Sequence, residues 1–160
     1  MTLNGIDDLD RRILAELQRE ARHVSSRDIA DHVDASASTV RKRIQRLESE
    51  GIITQYAAQV DYEQAGYSLY VQITCTVPIP ERSNRADAAR DVDGVVGVRE
   101  LATGERNVVV TVVCVDGDDL TRIAAELSDL GLTVLDEELI QSDRSLPFTG
   151  FGSEAIVDPE

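Results

Sequence analysis

The run Ser36 to Gly51, SASTVRKRIQRLESEG, constrains what this chain can fold into more than any other stretch. At about 100° per residue of helix, Val40, Ile44 and Leu47 share one face. Ser38, Lys42, Gln45 and Arg46 fall on the opposite face, with Arg41 and Arg43 at the flanks. One side is core and the other is basic and polar. Ser36 stands at an N-cap position and Gly51 where a helix ends in a left-handed residue. The preceding segment, Ser25 to Val33, carries its own signals: Ser25 and Asp28 match a capping box, and Ile29 and Val33 form an i, i+4 apolar pair. Only Asp34-Ala35 separates it from the next cap. Two short helices across so tight a turn predict a helix-turn-helix, whose second helix presents its N-terminal residues to the major groove of double-stranded DNA. Ser38, Thr39, Lys42 and Gln45 are the candidates for base edges; Ser36, Arg41, Arg43 and Arg46 are those for phosphates. A solvated basic face on a small helical bundle is the plainer reading of the same pattern. Thr39 and Arg43 also suit packing or bracing the helix itself.

Charge separates the chain into two parts. Residues 1–60 carry nine Lys+Arg against ten Asp+Glu, whereas residues 61–160 carry seven against twenty. A module held near neutral within a chain of net charge −14 fits a partner that is a polyanion. Fifteen of the sixteen basic residues are Arg, with Lys42 the single Lys. An acidic surface so poor in Lys is expected of a protein working in molar salt, where screening makes a large net charge tolerable, and a halophilic source is the expectation. No apolar run approaches the roughly 20 residues of a membrane span, and the start MTLNGIDDLD is acidic, so a soluble cytoplasmic protein without a membrane partner is expected. Cys75 and Cys114 lie in apparent strands with no His or Cys at metal spacing, which reads as two small buried side chains and neither metal nor cofactor.

In chain order, Leu9, Ile13, Leu14 and Leu17 give a first helix, Leu9 to Glu20, with Asp7 and Asp8 at its positive end. After Gly51, Tyr56, Ala58 and Val60 alternate with Gln55, Ala57 and Gln59, which predicts a strand with one covered face acting as wing and linker over 55–66. The helical unit is thus expected over 1–54 and a second domain over 67–140. That domain reads as strand Leu69 to Val77, helix Arg85 to Asp91 capped by Ser83 or Asn84, and strand Val95 to Ala102. A hairpin turn, strand Val108 to Val115, a helix opened by Asp116 to Asp119 and closed by Gly131, and strand Leu132 to Ile140 follow. The order βαββαβ makes a four-stranded antiparallel sheet with both helices on one face, a ferredoxin-like arrangement, and the fold class is α+β. The tail over 141–160 holds both phenylalanines, Phe148 and Phe151, so the stretch Leu146 to Phe151 is expected to dock rather than float.

One strand says more. VVVTVVCV is apolar at seven of eight positions, so both its faces seek cover, while two helices cover only one. A second copy of the chain is the economical supplier, which predicts a homodimer suited to reading two half-sites.

The run IDDLDRRILAELQREARHVSSRDIADHVDASASTVRKRIQRLESEGIITQYAAQVDYEQAG resembles the N-terminal half of the Lrp/AsnC family of feast/famine regulators. The matching motifs are its D-x-x-L-D-x-x-I-L opening, its S-x-S-T-V-x-x-R-I helix and its L-E-x-x-G-I-I exit. DGVVGVRELATGERNVVVTVV is similar to that family's second and third strands. The resemblance implies a winged helix-turn-helix joined to a ferredoxin-like effector and oligomerisation domain, dimers assembling into tetramers or octamers, and transcriptional control by an amino acid or related small metabolite. It places effector contacts at Gly104, Glu105, Arg106 and Asn107 and near Leu135 and Glu137. Here the hairpin ends in Asn107 where the family has an acid, and Leu135 and Glu137 stand where it often has threonines. An Asn cannot give a ligand ammonium a full charge, although its amide can still accept a hydrogen bond. Gly104 also suits the tight hairpin by itself. Two other readings share this architecture. One is an enzyme like the sirohaem decarboxylases, which use His and Arg residues in the second domain, although both histidines here, His23 and His32, lie in the first. The other is an effector-independent architectural DNA-binding protein.

Overall fold

The chain alternates two kinds of amphipathic pattern, and the computed structural model, which describes residues 5–151, turns each into a separate core. Two compact units result, one formed by the chain up to Ala58 together with the segment from Arg144, the other by Gln59–Asp143.

The first unit is built from α1 (Asp8–Arg19), α2 (Ser26–Val33) and α3 (Ala37–Ser49). Ile13, Leu14, Ile29, Val33, Val40 and Leu47 form its buried cluster, and each such side chain contributes ~1.5–3 kcal/mol by leaving water. The segment Thr149–Phe151 closes a single 3₁₀ turn beside it, with Phe151 packed on the cluster and Phe148 edge-on to Phe151 at 5.0 Å between ring centres. The Phe148 N–H donates to Oε1 of Gln18 in α1 at 3.1 Å. Of the stretch Leu146 to Phe151 expected to dock, Phe151 packs on the cluster, whereas Leu146 and Phe148 are 84% and 60% exposed; residues 152–160 of the tail lie outside the described residues.

The alternation of Tyr56, Ala58 and Val60 does not produce the expected strand. Residues 54–60 form neither helix nor strand, and Tyr56 and Val60 are 52% and 47% exposed. Period-two patterning marks a strand only when a neighbour supplies the hydrogen bonds, and among the described residues none pairs here. Tyr56 is tied back to α3 instead: its hydroxyl donates to Oε1 of Glu48 at 2.9 Å, and burial with that carboxylate beside it pushes the phenol up to about 12.

In the second unit β1 (Leu69–Thr76), α4 (Arg82–Ala89), β2 (Val95–Glu100), β3 (Val108–Cys114), α5 (Gly117–Asp129) and β4 (Thr133–Leu139) follow one another. The sheet is antiparallel in the order β2-β3-β1-β4. Val108, Val110, Val112 and Cys114 point into a core with Val71, Ile73, Cys75, Ile123 and Leu127. Both cysteines are free and buried, and burial pushes the Cys75 thiol up to about 11. On the other face of β3, Val109 and Val113 are already 8% and 6% exposed within one chain. The helix expected from Arg85 starts earlier. Pro78 opens a 3₁₀ turn, Ile79–Glu81, that runs straight into α4 with no side-chain cap, so neither Ser83 nor Asn84 caps it. Ser83 Oγ donates to Oε2 of Glu100 instead. Gly117 to Asp129 begins as expected, with Asp116 Oδ1 accepting from the Asp119 N–H at 2.9 Å.

Gly94 joins α4 to β2 against the Ile123 side chain of α5. Its φ of +93° lies in the left-handed region, and a Cβ there would stand 2.7 Å from Cδ1 of Ile123 and 3.0 Å from the Val113 carbonyl. Gly94→Ala therefore combines backbone strain with an overlap in the core. A loss of about 1–3 kcal/mol is expected in urea unfolding followed by circular dichroism.

Candidate nucleic-acid interface

The second helix of the helix-turn-helix is defined by its cap. Ser36 is extended, with φ −78° and ψ 149°, and its Oγ accepts from the Thr39 N–H at 3.1 Å. The same oxygen lies 2.8 Å from Thr39 Oγ1 and 3.2 Å from Ser38 Oγ. Upstream, Ser25 and Asp28 cap each other reciprocally around the start of α2, and the Ser25 hydroxyl and N–H hold the Asp28 carboxyl below the usual carboxylate range. Asp34 ends α2 in the left-handed conformation, φ +54°, and the chain turns at once into Ser36. Asp tolerates that conformation better than most residues, which is why the turn can be so short.

Val40 and Leu47 are fully buried, so their side of α3 turns inward. Ser38, Arg41, Lys42 and Gln45 are exposed along one stripe, and Thr39, Arg43 and Arg46 are half-buried. Among the described residues, Arg41 and Lys42 make no ion pair and no side-chain hydrogen bond. The polar groups that the sequence assigns to base edges thus face solvent together, Thr39 at their margin.

Two of the arginines assigned to phosphates do other work in this structure. Arg43 Nη1 lies 2.5 Å from Oδ2 of Asp7 and 3.1 Å from Oδ1 of Asp10. Arg46 Nη2 lies 2.5 Å from Oδ2 of Asp10, and its Nη1 donates to the Gly5 carbonyl at 3.2 Å. Asp10 is completely buried, and its Oδ2 also accepts from the Asp7 N–H at 2.9 Å, closing a capping box whose other half is the Asp10 N–H on Asp7 Oδ1. Arg43 and Arg46, the sequence's candidates for phosphate, both brace α3 against α1 in this structure, the alternative that the sequence left open for Arg43. Ser36, likewise assigned to phosphate, spends its hydroxyl on the cap. Sequence reasoning missed Asp10. Its signal is spacing, since Asp10, Ile13, Leu14 and Leu17 stand at i, i+3, i+4 and i+7, and a carboxylate on an apolar stripe requires a cationic partner.

The second cluster of candidates divides. Gly104 has φ +96° with open space around it, and Glu105, Glu137 and Leu135 are exposed, Leu135 at 41%. Arg106 Nη1 is 3.4 Å from Oδ2 of Asp136, so the hairpin does reach β4. Asn107 does not face outward. It is 3% exposed, its Oδ1 accepts from the Val77 N–H at 2.9 Å and its Nδ2 donates to the Val77 carbonyl at 2.7 Å. The expectation that its amide is open to a ligand is therefore corrected: the amide copies one rung of a β-ladder and locks the hairpin to the end of β1. Asn107→Asp loses the Nδ2 donor and sets a carboxylate against a carbonyl, a cost of about 1–3 kcal/mol in thermal or urea unfolding.

Asp7 makes the first unit sensitive to acid. The Asp10 backbone N–H, and then the Arg43 guanidinium, hold its carboxyl below the usual range, and Arg43 is held more firmly protonated in return. A depressed carboxylate stabilises the fold above its unfolded pKa of about 4 and loses that contribution as pH falls through the folded value. Acid titration of the helical signal should show an Asp7→Asn variant less stable than the parent at neutral pH, the difference shrinking below about pH 4.

Comparison with known proteins fits this geometry. A family profile described as winged helix-turn-helix DNA-binding matches residues 6–54. The HTH-type transcriptional regulator LrpA of Pyrococcus horikoshii is 34% identical over 120 residues, covering 74% of this chain and 82% of that protein. The crystal structure of the Mycobacterium tuberculosis leucine response regulatory protein LrpA superimposes with a TM-score of 0.75 at 23% identity, covering 89% of this chain and 97% of that one. A Neisseria meningitidis transcriptional regulator, solved as a complex with L-Met, gives 0.70 at 23% identity over 89% of this chain and 94% of that one. Among the described residues no helix is long and apolar enough to cross a membrane.

Proposed function

Because the chain belongs to the Lrp family of helix-turn-helix transcriptional regulators, we propose that it reads a preferred duplex site through α3 and answers to an amino acid or related small metabolite. The observation that carries the first half is the exposed stripe Ser38, Lys42 and Gln45 on a helix whose opposite face is core and whose two ends are fixed. Lys42 and Gln45 offer donors suited to guanine and adenine edges, and Arg41 beside them supplies a phosphate contact.

A homodimer is the assembly in this reading, paired through the sheet face that α4 and α5 leave open. Val109 and Val113 on that face are already buried within one chain, so the support is the family resemblance rather than the valine run, and a two-fold axis would repeat the same patch on both subunits. Further assembly into tetramers or octamers would bring hairpins from neighbouring dimers together. Arg106 and Asp136, with Glu105, Leu135 and Glu137 nearby, are the groups left for a zwitterionic ligand, since Asn107 is committed to Val77. The L-Met complex of the Neisseria regulator supports an amino acid as the class. A ligand that prefers one assembly over another shifts DNA occupancy, and by linkage DNA shifts ligand affinity by the same factor. The acidic, Lys-poor composition supports work in concentrated salt.

The test is selection of duplexes from a random library by the full-length protein, followed by binding to the enriched site with and without L-methionine. A defined site is expected. Lys42→Ala should cost about 1–3 kcal/mol at one base position and relax preference there. Arg41→Ala should weaken all sequences alike and reduce the salt slope by about 0.9 for each phosphate it no longer neutralises. Enrichment of no sequence would contradict the reading.

A further inference from the structure

Among the described residues, Asp10 is the one fully buried charged side chain, and both its oxygens are spent on the helix that carries the exposed stripe. Resting on the DNA-reading function above, we infer that Asp10 is a positioning residue for sequence recognition: it fixes the rotation of α3 and keeps two cations from making sequence-blind contacts.

The geometry supports both halves. Taking Val40 as the inward direction and turning roughly 100° per residue, Arg43 and Arg46 project on one flank of α3, about 60° and 120° from the core direction, and Arg46 stands only about 40° from Lys42. Hydrophobic contacts at Val40 and Leu47 pull α3 inward but are non-directional, so they tolerate a small roll of the helix. Two charge-assisted hydrogen bonds to one carboxylate do not. Asp10 is itself held by α1, through the capping box with Asp7, so the carboxylate is a fixed point rather than a mobile counter-ion. With Asp10 in place, Arg43 and Arg46 are paired with the carboxylates of α1 and its cap, and Arg41 and Lys42 are the unpaired cations of α3 among the described residues. Without it, α3 can roll, the stripe of Ser38, Lys42 and Gln45 loses its aim, and the two released guanidiniums sit beside Lys42 able to take any phosphate. Specific affinity should fall while affinity for arbitrary duplex holds or rises.

That opposition is what a merely structural role would not give. The experiment measures binding of full-length parent and Asp10→Asn protein to the duplex enriched by the parent and to a scrambled duplex, at a temperature where circular dichroism shows both folded. A ratio of specific to scrambled affinity at least tenfold lower, with scrambled affinity unchanged or higher and a steeper salt slope on it, is the expected result. Equal losses on both duplexes, with the ratio retained, would overturn the inference while leaving the DNA-reading function intact. Should Asp10→Asn fail to fold, Arg43→Gln serves, because Arg46 still compensates the buried charge. On this inference Arg43→Gln lowers the ratio and leaves the salt slope on scrambled duplex unchanged. If Arg43 instead touched phosphate directly, the variant would lower both affinities alike and flatten that slope by about 0.9, and the inference would fail. A parent protein that enriches no sequence at all sinks the positioning inference together with the function on which it rests.

Discussion

The first unit depends on one carboxylate held away from water between two guanidiniums. Burying a charge costs several kcal/mol, and Asp10 offsets that cost only because Arg43, Arg46 and the Asp7 N–H all converge on it. Such an arrangement is weak as a source of net stability, since apolar side chains of similar volume often do as well. Its physical consequence is direction. Each member has one orientation that satisfies the others, so the relation of α1 to α3 is specified more narrowly than the surrounding leucines and isoleucines specify it.

The same division between non-directional burial and directional polar contact runs through the second unit. β3 lies between β1 and β2 and supplies Val108, Val110 and Val112 to the core, a contribution that any β-branched residue of like size could make. What sets the hairpin end of the sheet is Asn107, whose amide donates to and accepts from Val77 as a strand backbone would. A single residue thus terminates the open end of β1 without leaving an unpaired N–H or carbonyl. It also separates this hairpin from the acidic pattern of the family it resembles.

The helices and strands were legible in the sequence because their signals are local. Ser25 with Asp28, Ser36, Asp116 and the alternation over Leu69 to Val77 mark element ends and faces by short-range hydrogen bonding and period alone. The exposed stripe of α3 followed from the same periodicity. What could not be read is what depends on pairing across the chain. Arg43 and Arg46 have the chemistry of phosphate ligands, and only the approach of Asp7 and Asp10, more than thirty positions away, shows that they are engaged. Asn107 hides its role for the same reason, since Val77 is thirty positions distant. Tyr56, Ala58 and Val60 mislead in the opposite direction, their alternation promising a ladder that needs a partner strand. The start of α4 was missed because Pro78 and the 3₁₀ turn after it replace the side-chain cap that the sequence rules look for.

On this reading the outward stripe of α3 meets duplex DNA while the sheet unit does not. Amide chemical-shift mapping of the full-length protein, titrated with its enriched duplex, tests it most directly. The largest changes are expected at Ser36 to Arg46, with Ser38, Lys42 and Gln45 foremost and the strands from Leu69 to Leu139 little affected. Large changes confined to those strands, with α3 silent, would contradict it.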